Sequence, residues 1–257
     1  MIPVHDVNPL RRTPWVTYAL IVANVVVFLL MPGAAHSLAG QTTLGQLCQL
    51  QAFLERWGAV PVELLRDQLP TLVPTGTAVA GPQGTGCLVA PPEYDKSPPL
   101  SVLTAMFLHS SWAHLLGNML FLAIFGNNIE DRLGRIPFLL FYLACGYAAS
   151  YGFALTSPDS TDPLVGASGA IAGVLGAYLV IYPRARVWGL IPVLFFLPLR
   201  VPAWFMLGMW FVLQALYATG YGTAGAGSVA YAAHVIGFVL GALLGLTLRG
   251  RRRRPLR

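Results

Sequence analysis

The sequence predicts an all-α, polytopic membrane protein, a bundle of six transmembrane helices with both termini on the cytoplasmic side. Three observations predict it. Of 257 residues, 56% are hydrophobic and only 10% are charged, whereas soluble domains carry ~25% charge. Apolar runs close to the ~20 residues that cross a bilayer recur along the chain. The basic residues then gather on one side of the spans those runs define. The formal charge of +6 does not point to nucleic acid, because the basic residues form no mixed basic and aromatic face.

Taken in order, residues 1–14 form a cytoplasmic segment, with Arg11 and Arg12 just ahead of the first span at 15–31. Those arginines and the later "SLAG" also fit a cleaved signal peptide, but the apolar stretch is long for one, and an uncleaved span is the reading. Residues 32–99 form a long outer loop. In it Leu44, Leu47, Leu50, Phe53, Leu54 and Trp57 recur at helical spacing, as in an amphipathic helix lying on a membrane surface. The following "VPTGTAVAGPQGTGCLVAPPEYDKSPP" is rich in Gly and Pro and reads as a loop or linker. Cys48 and Cys87 both fall in the outer loop, where a disulfide and two inert thiols are equally open.

Residues 100–248 hold the remaining five spans. These are Trp112–Phe125 with a more polar approach from Leu100, Pro137–Leu155, Ser168–Tyr182, Val201–Thr219 and Ser228–Leu248. Between the fourth and fifth, Val187–Leu199 carries Pro192 and Pro198 and reads as an interfacial or re-entrant approach. Residues 249–257 form a basic cytoplasmic tail. With six spans and the N-terminus inside, the inner segments hold Arg11, Arg12, Arg132, Arg135, Arg184, Arg186, Arg200 and every tail arginine. A seventh span would put the tail outside, against the positive-inside bias.

Topology places a set of polar groups at one depth. A helix from Ser168 to Tyr182 is ~22 Å long, short of a ~30 Å hydrocarbon core, so Ser168 is expected below the outer face. His234 lies near the outer end of the sixth span, and His109, His114 and Asn118 in the outer half of the second. Strongly polar groups at such depth face a partner or water. Gly169 and Gly173 on the fourth span, and Gly237, Gly241 and Gly245 on the sixth, let two backbones approach closely. That would also bring His234 within reach of Ser168.

Taken singly, Ser168 is a helix cap, His234 a satisfied core histidine, and His114 with Asn118 a structural hydrogen-bonding pair. Together they suggest nucleophilic catalysis. A serine hydroxyl needs a base, and His234 is the only histidine after His114. No acidic residue lies in spans four or six, so a Ser–His dyad is the reading, with Asp162 a remote third candidate. The Ser168 N–H at a helix N-terminus, with His114 and Asn118, would stabilise an oxyanion. His109 and His114 are five apart with no HExxH, and no phosphate loop or dinucleotide fingerprint is present, so neither metal nor cofactor is expected.

These residues resemble the rhomboid family of intramembrane serine proteases over about Leu100–Leu248. "HSSWAHLLGN" carries His109, His114 and Asn118; "GNNIEDRLG" matches GxxxExxxG at Gly126, Glu130 and Gly134; "GASG" is GxSG at Gly166, Ser168 and Gly169. "AHVIGFVLG" is AHxxGxxxG at His234, Gly237 and Gly241. The resemblance implies a six-helix serine endopeptidase that cleaves transmembrane segments of membrane proteins near the outer leaflet. It implies Ser168 as nucleophile, His234 as base, an oxyanion site of Ser168, His114 and Asn118, and Glu130 bonding a cytoplasmic loop near Arg132 and Arg135. Two departures stand out. The Trp-Arg pair many members carry before the second helix is replaced by "PPLSVLTAMF", and the aromatic four residues after the nucleophile is Ala172. Tyr231 or a neighbour is the candidate to hold His234 instead.

The alternatives are a non-catalytic rhomboid-like binder or escort of membrane proteins, whose relatives usually lose the serine or histidine, and a channel. A channel needs polar residues continuing to the inner side, where these spans are almost wholly apolar. The layout without added domains suggests a bacterial inner (plasma) membrane.

Overall fold

A computed structural model describes residues 2–33, 43–81, 84–191, 197–220 and 230–249. The "SLAG" stretch, the loop after Gly220, Ser228 and the tail after Arg249 lie outside the described residues. Helices α1 (Trp15–Leu30), α2 (Leu44–Trp57), α3 (Pro61–Arg66) and α4 (Pro98–Ala105) are followed by α5 (Trp112–Phe121). A π-helical turn at Leu122–Gly126 leads into α6 (Asn127–Leu133), and then come α7 (Arg135–Thr156), α8 (Ser168–Ile181), α9 (Ala203–Ala218) and α10 (Tyr231–Arg249). Among the described residues, α7 and α10 are long and apolar enough to cross a membrane, while α1, α8 and α9 are shorter apolar helices.

The chain is mostly helical, but not wholly so: among the described residues five strands accompany the helices, β1 (Ile2–Asp6), β2 (Val73–Gly81), β3 (Gly84–Ala90), β4 (Arg186–Ile191) and β5 (Leu197–Pro202). Of the segment read as an interfacial or re-entrant approach, residues 187–191 lie in β4, the centre of an antiparallel sheet of order β1-β4-β5, and residues 197–199 in its edge strand β5, while Pro192 and the rest of 192–196 lie outside the described residues. The prolines explain the order. Pro3, Pro198 and Pro202 lie on the two edge strands, where a missing N–H is tolerated, and the central β4 has none. Within the Gly- and Pro-rich stretch read as a loop or linker, β2 and β3 pair antiparallel, with Val79 opposite Gly86 and Gly81 opposite Gly84, and among the described residues only the part after Ala90 is irregular up to α4. The helix expected as the second span also continues beyond Phe125, through the π turn, to Gly134, whose φ of +86° ends the helix.

The chain divides into two compact units. One comprises Val22–Gly117 and Ser150–Ala167. Its helix α2 begins where Thr43 and Gln46 form a reciprocal capping box, and Cys48 on α2 is disulfide-bonded to Cys87 on β3. Inside this unit Lys96 Nζ sits 2.6 Å from Glu63 Oε2, both side chains almost wholly buried, and also donates to the Glu55 carbonyl at 2.6 Å. Burial pushes the nearby Glu55 carboxyl up to about 7. On the unit's surface Arg66 pairs with Asp159.

The other unit comprises Met1–Ile21, Asn118–Ala149 and Ser168–Arg257. Buried Asp6, at the end of β1, accepts hydrogen bonds at Oδ2 from the Tyr178 hydroxyl at 2.7 Å and from Asn128 Nδ2 at 2.9 Å. The Asn8 amide donates to that same tyrosine oxygen at 2.7 Å. The sheet thus ties the approach to α1 to the connection between α8 and α9.

Candidate active site

Ser168 opens α8 because the chain turns sharply just before it. Residues 59 and 164 form an antiparallel bridge, and Gly166 then takes φ +116°, a conformation that favours glycine. The first-turn N–H groups of α8 follow immediately, carrying the positive end of its dipole.

Glycine decides what faces this helix. A Cβ on Gly237 would lie 2.2 Å from the Gly169 carbonyl oxygen, one on Gly241 1.9 Å from that of Gly173, and one on Gly176 2.0 Å from that of Phe238. From Gly169 with Gly237, through Gly173 with Gly241, to Ala177 with Gly245, the partners advance together along both helices, so α8 and α10 run parallel with their backbones in contact. Parallel helices in this register bring their N-terminal ends together. Ser168 Oγ and His234 Nε2 accordingly stand 2.8 Å apart.

The imidazole is held on other sides as well. Its Nδ1 lies 2.7 Å from Gln214 Oε1 on α9. Trp210, one turn earlier on α9, places its ring 6.0 Å from the imidazole at an interplanar angle of 32°. Tyr231, the sequence-based candidate, meets the ring edge-on at 88° and 6.3 Å. Ala172 is fully buried in the seam. With alanine at 172, the aromatic rings beside the imidazole are Trp210 and Tyr231. Sequence reasoning missed both α9 residues. The available signal was a lone glutamine inside an apolar run, and intramembrane polar residues ask for a partner.

The other expected residues are placed as follows. Asn118 is buried on α5 within the unit that contains Ser168 and His234. His114 and His109 belong to the other unit, where their rings meet edge to face with centroids 4.9 Å apart. The His114 backbone N–H donates to Ser111 Oγ at 3.2 Å, so Ser111 caps α5. Asp162 is exposed in that same unit.

Glu130 is buried and reaches a partner that sequence did not suggest. Its carboxylate accepts from the Val16 N–H at 3.0 Å, the Thr17 N–H at 2.7 Å and the Thr17 hydroxyl at 2.8 Å. It therefore caps the first turn of α1, a place rich in unsatisfied donors. Gly126 lies opposite that turn, and a Cβ there would come within 3.4 Å of Thr17 Cγ2. Arg132 donates instead to the Leu248 carbonyl at 2.8 Å. Among the described residues no three His, Cys, Asp or Glu side chains converge as a metal-ligating group.

A serine hydroxyl on an imidazole nitrogen, at the positive end of a helix, can be deprotonated while it attacks an electrophilic carbon. Comparisons with known proteins bear on the family to which this pair belongs. Residues 98–251 match the model of the rhomboid domain. Rhomboid protein 1, mitochondrial, of Saccharomyces cerevisiae is 32% identical over 155 residues, covering 57% of this chain and 41% of the yeast protein. RHOMBOID-like protein 6, mitochondrial, of Arabidopsis thaliana is 33% identical over 168 residues, 65% of this chain and 51% of the plant protein. Rhomboid protease GluP of Bacillus subtilis is 44% identical over 80 residues, 31% of this chain and 15% of the bacterial protein. The chain thus spans about half, or less, of the length of these relatives. The family model covers well over half of the chain, and the chain belongs to the rhomboid family, a helical, polytopic family of integral membrane proteins.

Proposed function

We propose that this protein is an intramembrane serine endopeptidase in which Ser168 is the nucleophile and His234 the general base. The observation that carries the reading is the 2.8 Å contact between Ser168 Oγ and His234 Nε2. As Oγ bonds to the scissile carbonyl carbon, its proton passes to Nε2. The oxyanion is met by N–H groups at the start of α8, with Asn118 and His114 as the proposed side-chain donors. Collapse of the adduct breaks the C–N bond as Nε2–H protonates the leaving amine. Water, deprotonated by the same nitrogen, then frees the acyl group from Ser168.

The proposed substrates are transmembrane segments of other membrane proteins, cut near the outer leaflet by a six-span bundle with cytoplasmic termini. The domain reading is a catalytic core over 100–248, preceded by one span and the outer loop and followed by the basic tail. Two features support this layout. Helices α8 and α10 are parallel, as fourth and sixth spans must be. The β1-β4-β5 sheet joins the approach to α1 with the α8–α9 connection, and six spans put both at the cytoplasmic face. Relatives named mitochondrial stand beside those from Bacillus, so the bacterial inner membrane expected from the sequence gains no support from them.

The test is cleavage of a transmembrane reporter by the purified full chain in liposomes. Ser168→Ala and His234→Ala should both abolish it, and a fluorophosphonate should label wild type at Ser168. Equal cleavage by the serine variant would end the assignment. Client binding without turnover under any condition would favour the escort reading.

A further inference from the structure

We infer that Gln214 is the positioning residue that completes the Ser168–His234 pair, fixing the tautomer and orientation of the imidazole from α9. The inference rests on the protease reading, and it answers a question that reading leaves open. A neutral histidine carries its proton on one ring nitrogen, and only the other can take a proton from serine. Ser168 Oγ faces Nε2 at 2.8 Å, so the useful tautomer has its hydrogen on Nδ1. An unassisted imidazole has no strong reason to prefer that form.

Gln214 supplies the reason. Its Oε1 lies 2.7 Å from Nδ1, and an amide oxygen can only accept a hydrogen bond. The contact therefore selects Nδ1–H and leaves the Nε2 lone pair aimed at the serine hydroxyl. Once Nε2 has been protonated, the same oxygen still receives Nδ1–H from the imidazolium, so no bond is broken as charge develops. Trp210, four residues earlier on α9, lies over the ring at 6.0 Å, and two successive turns of one helix thus fix both tilt and rotation. The arrangement has the logic of a triad whose third member is a neutral amide. No carboxylate has to be brought into the bundle, where a charge is expensive.

The experiment uses the full chain in detergent with a transmembrane reporter. Wild type and Ser168→Ala are measured first, because their comparison alone decides the protease reading. Gln214→Met keeps the length of the side chain and removes the acceptor; Gln214→Glu keeps an acceptor. Gln214→Met should lower kcat by at least about tenfold with KM unchanged, while Gln214→Glu should keep kcat within a few-fold of wild type. Nitrogen-15 NMR of labelled histidine should show His234 protonated at Nδ1 in wild type, and a mixture of tautomers in Gln214→Met. Wild-type kcat in Gln214→Met, equal loss in both variants, or an unchanged tautomer would overturn the inference. If wild type proves inactive, the protease reading fails, and the tautomer measurement still decides what Gln214 does.

Discussion

Substituting Gly241 by alanine tests whether the glycine seam sets the Ser168–His234 distance. The added Cβ would lie 1.9 Å from the Gly173 carbonyl oxygen and 2.5 Å from that residue's Cα. A carbon and a carbonyl oxygen pack at about 3.3 Å or more, so the seam must open by about 1.4 Å. Both obstructing atoms are backbone, and no side chain can rotate away. Overpacking of this kind costs about 1–3 kcal/mol in stability. The effect on chemistry is larger. If the opening is transmitted to the helix starts, a contact of 2.8 Å becomes about 4 Å and is no longer a hydrogen bond. Loss of general-base assistance then lowers the cleavage rate by about 10²–10⁴-fold. Gly245→Ala, whose Cβ would meet Ala177 Cα at 3.0 Å, should cost far less. Gly208→Ala, with nothing within 4 Å, should be neutral. Reporter cleavage, fluorophosphonate labelling of Ser168 and thermal unfolding in detergent measure the series. Wild-type cleavage and labelling by Gly241→Ala would refute the argument that the seam governs the dyad.

Other perturbations have equally definite outcomes. Glu130→Ala removes three bonds to the start of α1 and should destabilise the chain by about 3 kcal/mol; denaturant unfolding in detergent that shows under 1 kcal/mol would contradict the capping role. Glu55 titrates near 7 in the fold, against an ordinary 4.5. Its raised value means that the fold prefers the protonated form. The stability it contributes is complete below about 4.5 and lost as pH rises through about 7. Glu55→Gln should therefore gain about 1–3 kcal/mol over wild type at pH 8 and little at pH 4.5, read by hydrogen exchange of the α2 amides in the full chain. A gain of the same size at both pH values would rule out this cause.

Where periodicity or spacing was local, the sequence was legible. The α2 helix emerges over Leu44–Trp57, the span expected from its apolar spacing, because one face of a helix is written in residues three and four apart. The glycines of α8 and α10 marked a close approach because only backbone contact needs that residue at that interval. The sheet was hidden for the opposite reason. Ile2 pairs with Leu190, and no local pattern announces a partner nearly two hundred residues away. The β2–β3 hairpin was masked by its own composition, since the glycines and prolines that bend its ends outweigh the short alternation "TAVA". Gln214 and Trp210 were less legible because a single amide and an indole in an apolar run form no motif of their own.

The carboxylate beneath the first helix has a wider consequence for a protein that lives among acyl chains. Lipid tails are as greasy as leucine, so an apolar helix can spin about its long axis there with little change in solvation. Glu130 forbids that spin for α1, because its two oxygens match the amides of neighbouring residues and one hydroxyl at a single azimuth. The rotational setting of the first helix is thus keyed by one anion instead of being left to greasy contact, and the residues of its first turns inherit their direction from the key.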